Sequence, residues 1–354
     1  MNADTLHSSA VEHPTQPHTD TAHAAAQHAA AESGGHDAAH GGSHDVPPGE
    51  VFNHLLGELG DHHGFVLFGH VADLPILLVD NGFHAYANPQ KMEEAGVFTM
   101  YKGHPVRKVD LKTPQLDLSI TNYVMFEWLA FTLLLVVGLF VSGKYKKNPN
   151  KAPSGIQNMM ETLVVYLRDE VVYPNIKIRS AADRLLPYFI TVFFAILLMN
   201  LFGLIPGGHT ATGAIGVTAG LAIIAFFVIN YTAIREAGIG AWFHHLLGGG
   251  PIFLAPIMVP IEIISLFVKP FALTMRLFAN MTAGHVVLLA FVGLIFFFKS
   301  IFVAPASMAF SIFVYFLELL AAFLQAYVFT MLTAVFTGMA IGEHAHGEAH
   351  AEHH

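Results

Sequence analysis

From Pro260 to Leu289 the chain reads PIEIISLFVKPFALTMRLFANMTAGHVVLL, apolar enough for a bilayer yet holding Glu262, Lys269, Arg276, Asn280 and His285. A charge at mid-membrane costs about 2.5–3.5 kcal/mol per residue on insertion scales. Ionisable groups kept at that cost face a partner, a water-filled path or one another, and are functional candidates by default. Glu262, Lys269 and Arg276 are seven residues apart, and Asn280 follows Arg276 by four. At about 100° per residue these four share one helix face, within roughly 60° of one another. His285, nine residues beyond Arg276, points to the opposite side. The spacing predicts two different polar surroundings, not a single pocket.

Composition fixes the solvent. Of 354 residues 54% are hydrophobic and 12% charged, against about 25% charged in soluble proteins. An all-α integral membrane protein is expected. With no cysteine there is neither a disulfide nor a thiolate metal site. A formal charge of −9 does not favour a nucleic-acid partner. The 17 Lys and Arg are unevenly spread: none precedes Lys91, eight lie between Lys144 and Arg184, and only Lys269, Arg276 and Lys299 follow Arg235.

Residues 1–50 are rich in Ala, His, Gly, Ser and Thr. They cannot bury enough surface to fold and are expected to be a disordered extension. The segment lacks the basic and apolar regions of a signal peptide. Its eight His, with five more in the tail of residues 343–354, read as solvated, pH-titrating termini with weak zinc or nickel affinity at most. Residues 51–120 mix apolar runs with turn-like DNGFHAYANPQ, which predicts a few short strands in a small extracytoplasmic segment.

The membrane domain is expected over residues 121–342, with five spans. Asn122 to Ser142 is the first, and the GKYKKNPNK that follows is cytoplasmic by the positive-inside rule. Glu127 reads as interfacial. Gly155 to Val172 has the period of an amphipathic helix lying on the cytoplasmic surface. Leu185 to Ile205 and Ala214 to Ile234 are the second and third spans, with Asn200 as a packing hydrogen bond. Pro256 to Phe298 and Pro305 to Gly342 are far longer than the ~30 Å hydrocarbon core requires. They are expected to form a strongly tilted antiparallel hairpin turning near Lys299, with Pro260 and Pro270 as places to bend. Parity then puts the N-terminus outside and the C-terminus in the cytoplasm.

The last span carries Glu318 and Gln325, seven apart and on one face. With a turn near Lys299, His285 lies 14 residues before it and Glu318 19 after it, at comparable depth. A His beside a buried carboxylate is a proton-relay candidate. Arg276 is not, because a guanidinium does not deprotonate in proteins.

These residues resemble the a subunit of the F-type ATP synthase. The family's segment of the type KP…LRLFxNMxAG is matched by Lys269-Pro270 and MRLFANMTAGH, and its glutamine in LQAYVF-like sequence is matched by Gln325. The resemblance covers roughly residues 120–342, and residues 1–110 look like a lineage-specific extension. It implies that Arg276 faces a ring of c subunits, each with an ion-binding carboxylate, and that Glu262, Asn280 and Gln325 are polar positions around the ion path. Some bacterial members carry Glu at the place of His285 and His at that of Glu318, which implies a local relay more than a fixed role for either. It also implies a stator without catalysis or a cofactor of its own, with a b-subunit peripheral stalk, the other F0F1 subunits and the lipid of a bacterial inner membrane around it. The competing reading is a secondary (metal) ion transporter, suggested by the His-rich ends. Five spans without an inverted repeat speak against it, and co-purification with a ring of small hairpin proteins separates the two.

Overall fold

Apolar runs long enough to satisfy their own backbone as helix dominate the chain, as a bilayer demands. The computed structural model describes residues 63–67, 70–101, 103–147, 152–205, 210–240, 242, 255–298 and 302–351. Residues 1–50, the first part of the expected extracytoplasmic segment (51–62) and the expected turn at Lys299 lie outside the described residues.

A β-rich unit comes first. Strands β1 (Gly64–Leu67) and β2 (His70–Asp73) pair antiparallel, as do β5 (Phe98–Tyr101) and β6 (His104–Arg107). A third sheet has the order β4-β3-β7, from Phe83–Tyr86, Ile76–Val79 and Leu116–Asp117. The turn between β3 and β4 uses Asn81 at φ 52, a left-handed conformation that Asn tolerates. Helix α1 (Pro89–Glu94) starts with Asn88 capping Lys91 N and Pro89 at its first position. Ile76, Leu78, Met92 and Phe98 form a small core. Beside it the buried Asp80 carboxylate receives Arg107 Nε at 2.8 Å and Nη2 at 2.6 Å. That bond holds the guanidinium pKa above its ordinary value.

Among the described residues five helices are long and apolar enough to cross a membrane. They are α2 (Asn122–Lys147), α4 (Arg179–Gly203), α5 (Ile215–Ala237), α6 (Ala255–Phe298) and α7 (Val303–Ala351). Between α2 and α4 lies α3 (Ile156–Tyr166), continued by a π-helical turn over Leu167–Val172. Its wider winding puts Leu167, Val171 and Val172 together in the main core, while Ile156, Met159 and Val165 stay exposed. The expected single amphipathic face is therefore interrupted. Arg168 pairs with Asp169 at 2.8 Å and holds that carboxyl below its ordinary value.

Side-chain contacts set the directions. Phe126 near the start of α2 meets Phe202 at the end of α4, and Arg184 near the start of α4 pairs with Glu236 at the end of α5. In the hairpin of α6 and α7, Phe291 stacks on Phe310, His285 faces Glu318, and Lys269 lies over the Phe336 ring, an antiparallel register. Helix α6 is one continuous element with Pro260 and Pro270 inside it, so neither proline ends it. Helix α7 runs past Gly342 to Ala351, because the tail's Ala, Glu and His do not stop a helix as Pro would.

The inner face of α7 shows how polar side chains live in this bundle. Thr330, Thr333 and Thr337 are buried, and each donates to the carbonyl four residues back at 2.7–2.8 Å. At Gly338 a Cβ would stand 1.9 Å from Asn175 O, so only glycine lets the segment Tyr173–Asn175 cross there.

Candidate functional site

Helix α6 divides the sequence-derived residues between two environments. The outward face around Arg276 is apolar, with Ala272, Ala279, Ala283 and Val287 exposed. Arg276 and Asn280 lie exposed on that face, one turn apart. Among the described residues Arg276 has no hydrogen-bond or ion-pair partner. Glu262 and Lys269, predicted on the same stripe, are half-buried, and the Lys269 ammonium lies 5.7 Å from the Phe336 ring centroid. The four-residue stripe is thus split, because α7 covers Lys269 but not Arg276.

His285 faces inward. Its Nε2 lies 3.2 Å from Gly203 O at the end of α4, and its Nδ1 3.1 Å from Met281 O on its own helix. A neutral imidazole donates to only one of these carbonyls, whereas a protonated ring donates to both. Glu318 on α7 brings Oε1 to 3.3 Å from His285 Nδ1. That is ion-pair distance, yet both Glu318 oxygens are buried with no hydrogen bond among the described residues. The carboxylate is the open acceptor of the site.

Gly284 makes room for it, since a Cβ there would stand 2.3 Å from Glu318 Oε1. Gln325, two turns further along α7, is also buried, and its Nε2 has no partner among the described residues. Leu204, Met281 and Ala322 form a small apolar cluster around the pair.

Of the groups beside the pair, Asn200 is marked by the sequence, whereas Tyr315 and Gly203 are not. Thr212 donates to Asn200 Oδ1 at 2.6 Å and Asn200 Nδ2 donates to Ala322 O at 3.2 Å, which makes Asn200 the expected packing hydrogen bond. Tyr315 donates to Leu204 O at 3.1 Å. Gly203 offers a backbone carbonyl, which no side-chain motif can report.

A family model described as ATP synthase A chain matches residues 124–338. ATP synthase subunit a of Chloroherpeton thalassium is 41% identical over 328 residues, covering 85% of this chain and 97% of its own. ATP synthase subunit a 2 of Chlorobium luteolum is 49% identical over 241 residues, 68% of this chain and 70% of its own. That of Chlorobaculum tepidum is 47% identical over 245 residues, 69% and 68%. The first match covers 85% of the chain, more than residues 111–354 can supply, so part of the first 110 residues is shared with that relative, whereas the family model begins at residue 124. The motifs around Arg276 and Gln325, the five apolar helices and these matches agree, and the chain belongs to the ATP synthase A chain family.

Proposed function

We propose that the two sides of α6 are the two working surfaces of a proton-translocating stator. The family assignment makes the chain the stator a subunit of an F-type ATP synthase, a multi-pass bacterial membrane protein assembled with other ATP synthase subunits and acting in proton translocation. The secondary-transporter alternative is not supported. The finer roles rest mainly on one observation, an exposed guanidinium that has no partner among the described residues, on a helix face that is apolar apart from Asn280.

In this reading Arg276 faces the c ring, with Asn280 beside it. A fixed positive charge within about 4–6 Å lowers a carboxylate pKa by 1–3 units, so a ring carboxylate passing Arg276 gives up its proton. Because Arg276 cannot pass protons itself, it also separates the entry and exit paths. His285 and Glu318 relay protons from the outer half-channel to the ring. Gln325 lines the approach, and Glu262 lies on the exit to the cytoplasm. Helices α6 and α7 cross as a tilted hairpin, with the β-rich unit and the N-terminus outside and the end of α7 in the cytoplasm. The basic residues Lys144, Lys146 and Lys147 at the end of α2 and Arg235 at the end of α5 support that orientation, and a b-subunit stalk completes the stator. Catalysis of ATP synthesis belongs to other subunits.

The test is ATP-driven proton pumping in inverted vesicles carrying Arg276→Ala, with assembly checked by co-purification. A complex that assembles without pumping or making ATP supports the ring-facing role. Pumping near the parent rate refutes it.

A further inference from the structure

The C-terminal end of α4 touches both helices of the hairpin at one level. The last carbonyls of a helix have no partner within it, and here two consecutive ones find partners on different helices. Gly203 O receives His285 Nε2 of α6 at 3.2 Å, and Leu204 O receives Tyr315 OH of α7 at 3.1 Å. Tyr315 precedes Glu318 by three residues, just under a turn. Ala322, four residues after Glu318, gives its carbonyl to Asn200 Nδ2 of α4 at 3.2 Å. Glu318 is therefore bracketed along α7 by two hydrogen bonds to the same end of α4.

We infer that the Gly203–Leu204 end of α4 is a clamp that sets the His285–Glu318 spacing, with Tyr315 and Gly203 as positioning residues. The inference rests on the relay reading of that pair. Apolar helices in a bilayer pack through dispersion, which fixes neither register nor rotation tightly. A slide of α7 by a single residue moves Glu318 by about 1.5 Å, enough to break a 3.3 Å approach. Directional bonds to one shared helix end remove that freedom. Gly203 contributes by lacking a side chain: a Cβ would stand 2.3 Å from Thr210 Cβ. Thr210 and Thr212 are themselves hydrogen-bonded to each other at 2.8 Å, and Thr212 holds Asn200. An added methyl at position 203 would push this whole segment, and with it both ties.

The experiment uses the complete ATP synthase in inverted vesicles, comparing Tyr315→Phe, Gly203→Ala, Gly203→Ala with Thr210→Gly, and Glu318→Gln. The rate of ATP-driven pumping and its pH profile are measured, with co-purification of the other subunits as the assembly check. Tyr315→Phe is expected to assemble normally, slow pumping about three- to tenfold and displace the pH profile. Gly203→Ala is expected to displace it the same way, and Thr210→Gly to restore part of the loss. A Tyr315→Phe complex with the parent's rate and pH profile, alongside an inactive Glu318→Gln, overturns the clamp while leaving the relay standing. Parent-like pumping by Glu318→Gln overturns the relay and the clamp together.

Discussion

The two sides of α6 differ in what they leave unfinished. On the inner side His285 has an acceptor at each ring nitrogen and neighbours from α4 and α7 around it, and what stays open among the described residues is the buried Glu318 carboxylate. The outer side is open, with Arg276 presenting a permanent charge to whatever lies beyond an apolar surface. One helix can therefore carry an internal pair and a bare external charge on opposite sides, nine residues apart. The lesson is that polarity inside a membrane domain has to be sorted by what answers it.

The strongest way to break this contrast is to reverse the outer charge. Arg276→Glu is expected to cut coupled pumping by about 100-fold or more, the scale of losing an aligned electrostatic group. The bundle's own thermal stability should change little, since no residue described within the chain answers Arg276; a large drop in melting temperature would show that the charge is internal after all. Next in size is Gly284→Ala. Its Cβ would meet Glu318 Oε1 at 2.3 Å, so the carboxylate must turn away. Pumping should fall about tenfold or more with Arg276 untouched, and activity at the parent level would mean that the placement of Glu318 is not critical.

The contrast itself was largely legible in the sequence. The 100° period separates His285 from Arg276, and counting from Lys299 puts His285 level with Glu318. The half-burial of Lys269 was not legible, because a stripe on a single helix says nothing about which neighbour covers it, and α7 covers this part. The unbroken course of α6 through Pro260 and Pro270 follows from packing against α5 and α7, which local propensity does not encode. Gly203 O and Leu204 O were invisible because every residue has a carbonyl. The π-helical turn at Leu167–Val172 was missed for a related reason: its extra residue per turn is selected by the core it meets.

Two smaller effects sharpen the comparison. Asn200→Leu removes the bonds to Ala322 O and from Thr212, leaving buried polar groups that each cost about 1–3 kcal/mol. The loss should appear as a lower melting temperature of the purified complex, and an unchanged one would remove Asn200 from the support of the inner side. Smallest is Asp169→Asn. Asp169 sits below its ordinary carboxylate value of 3.8 because Arg168 bonds to its charged form. Its contribution is therefore complete above that value and lost as pH falls through the lowered one. The substitution should flatten only the acid limb of a stability–pH curve, because exposed pairs contribute little. A clear change near neutral pH would contradict that assignment.

The crossing at Gly338 bears on how the protein is made. The Tyr173–Asn175 segment leaves the ribosome more than 150 residues before the glycine that must close against it. Until the last helix has been inserted, the carbonyl of Asn175 waits uncovered, and no earlier helix has a substitute for the missing side chain at that crossing. That crossing can therefore close only near the end of synthesis. A nascent chain arrested before residue 338 should accordingly be a better substrate for membrane proteases than the finished subunit.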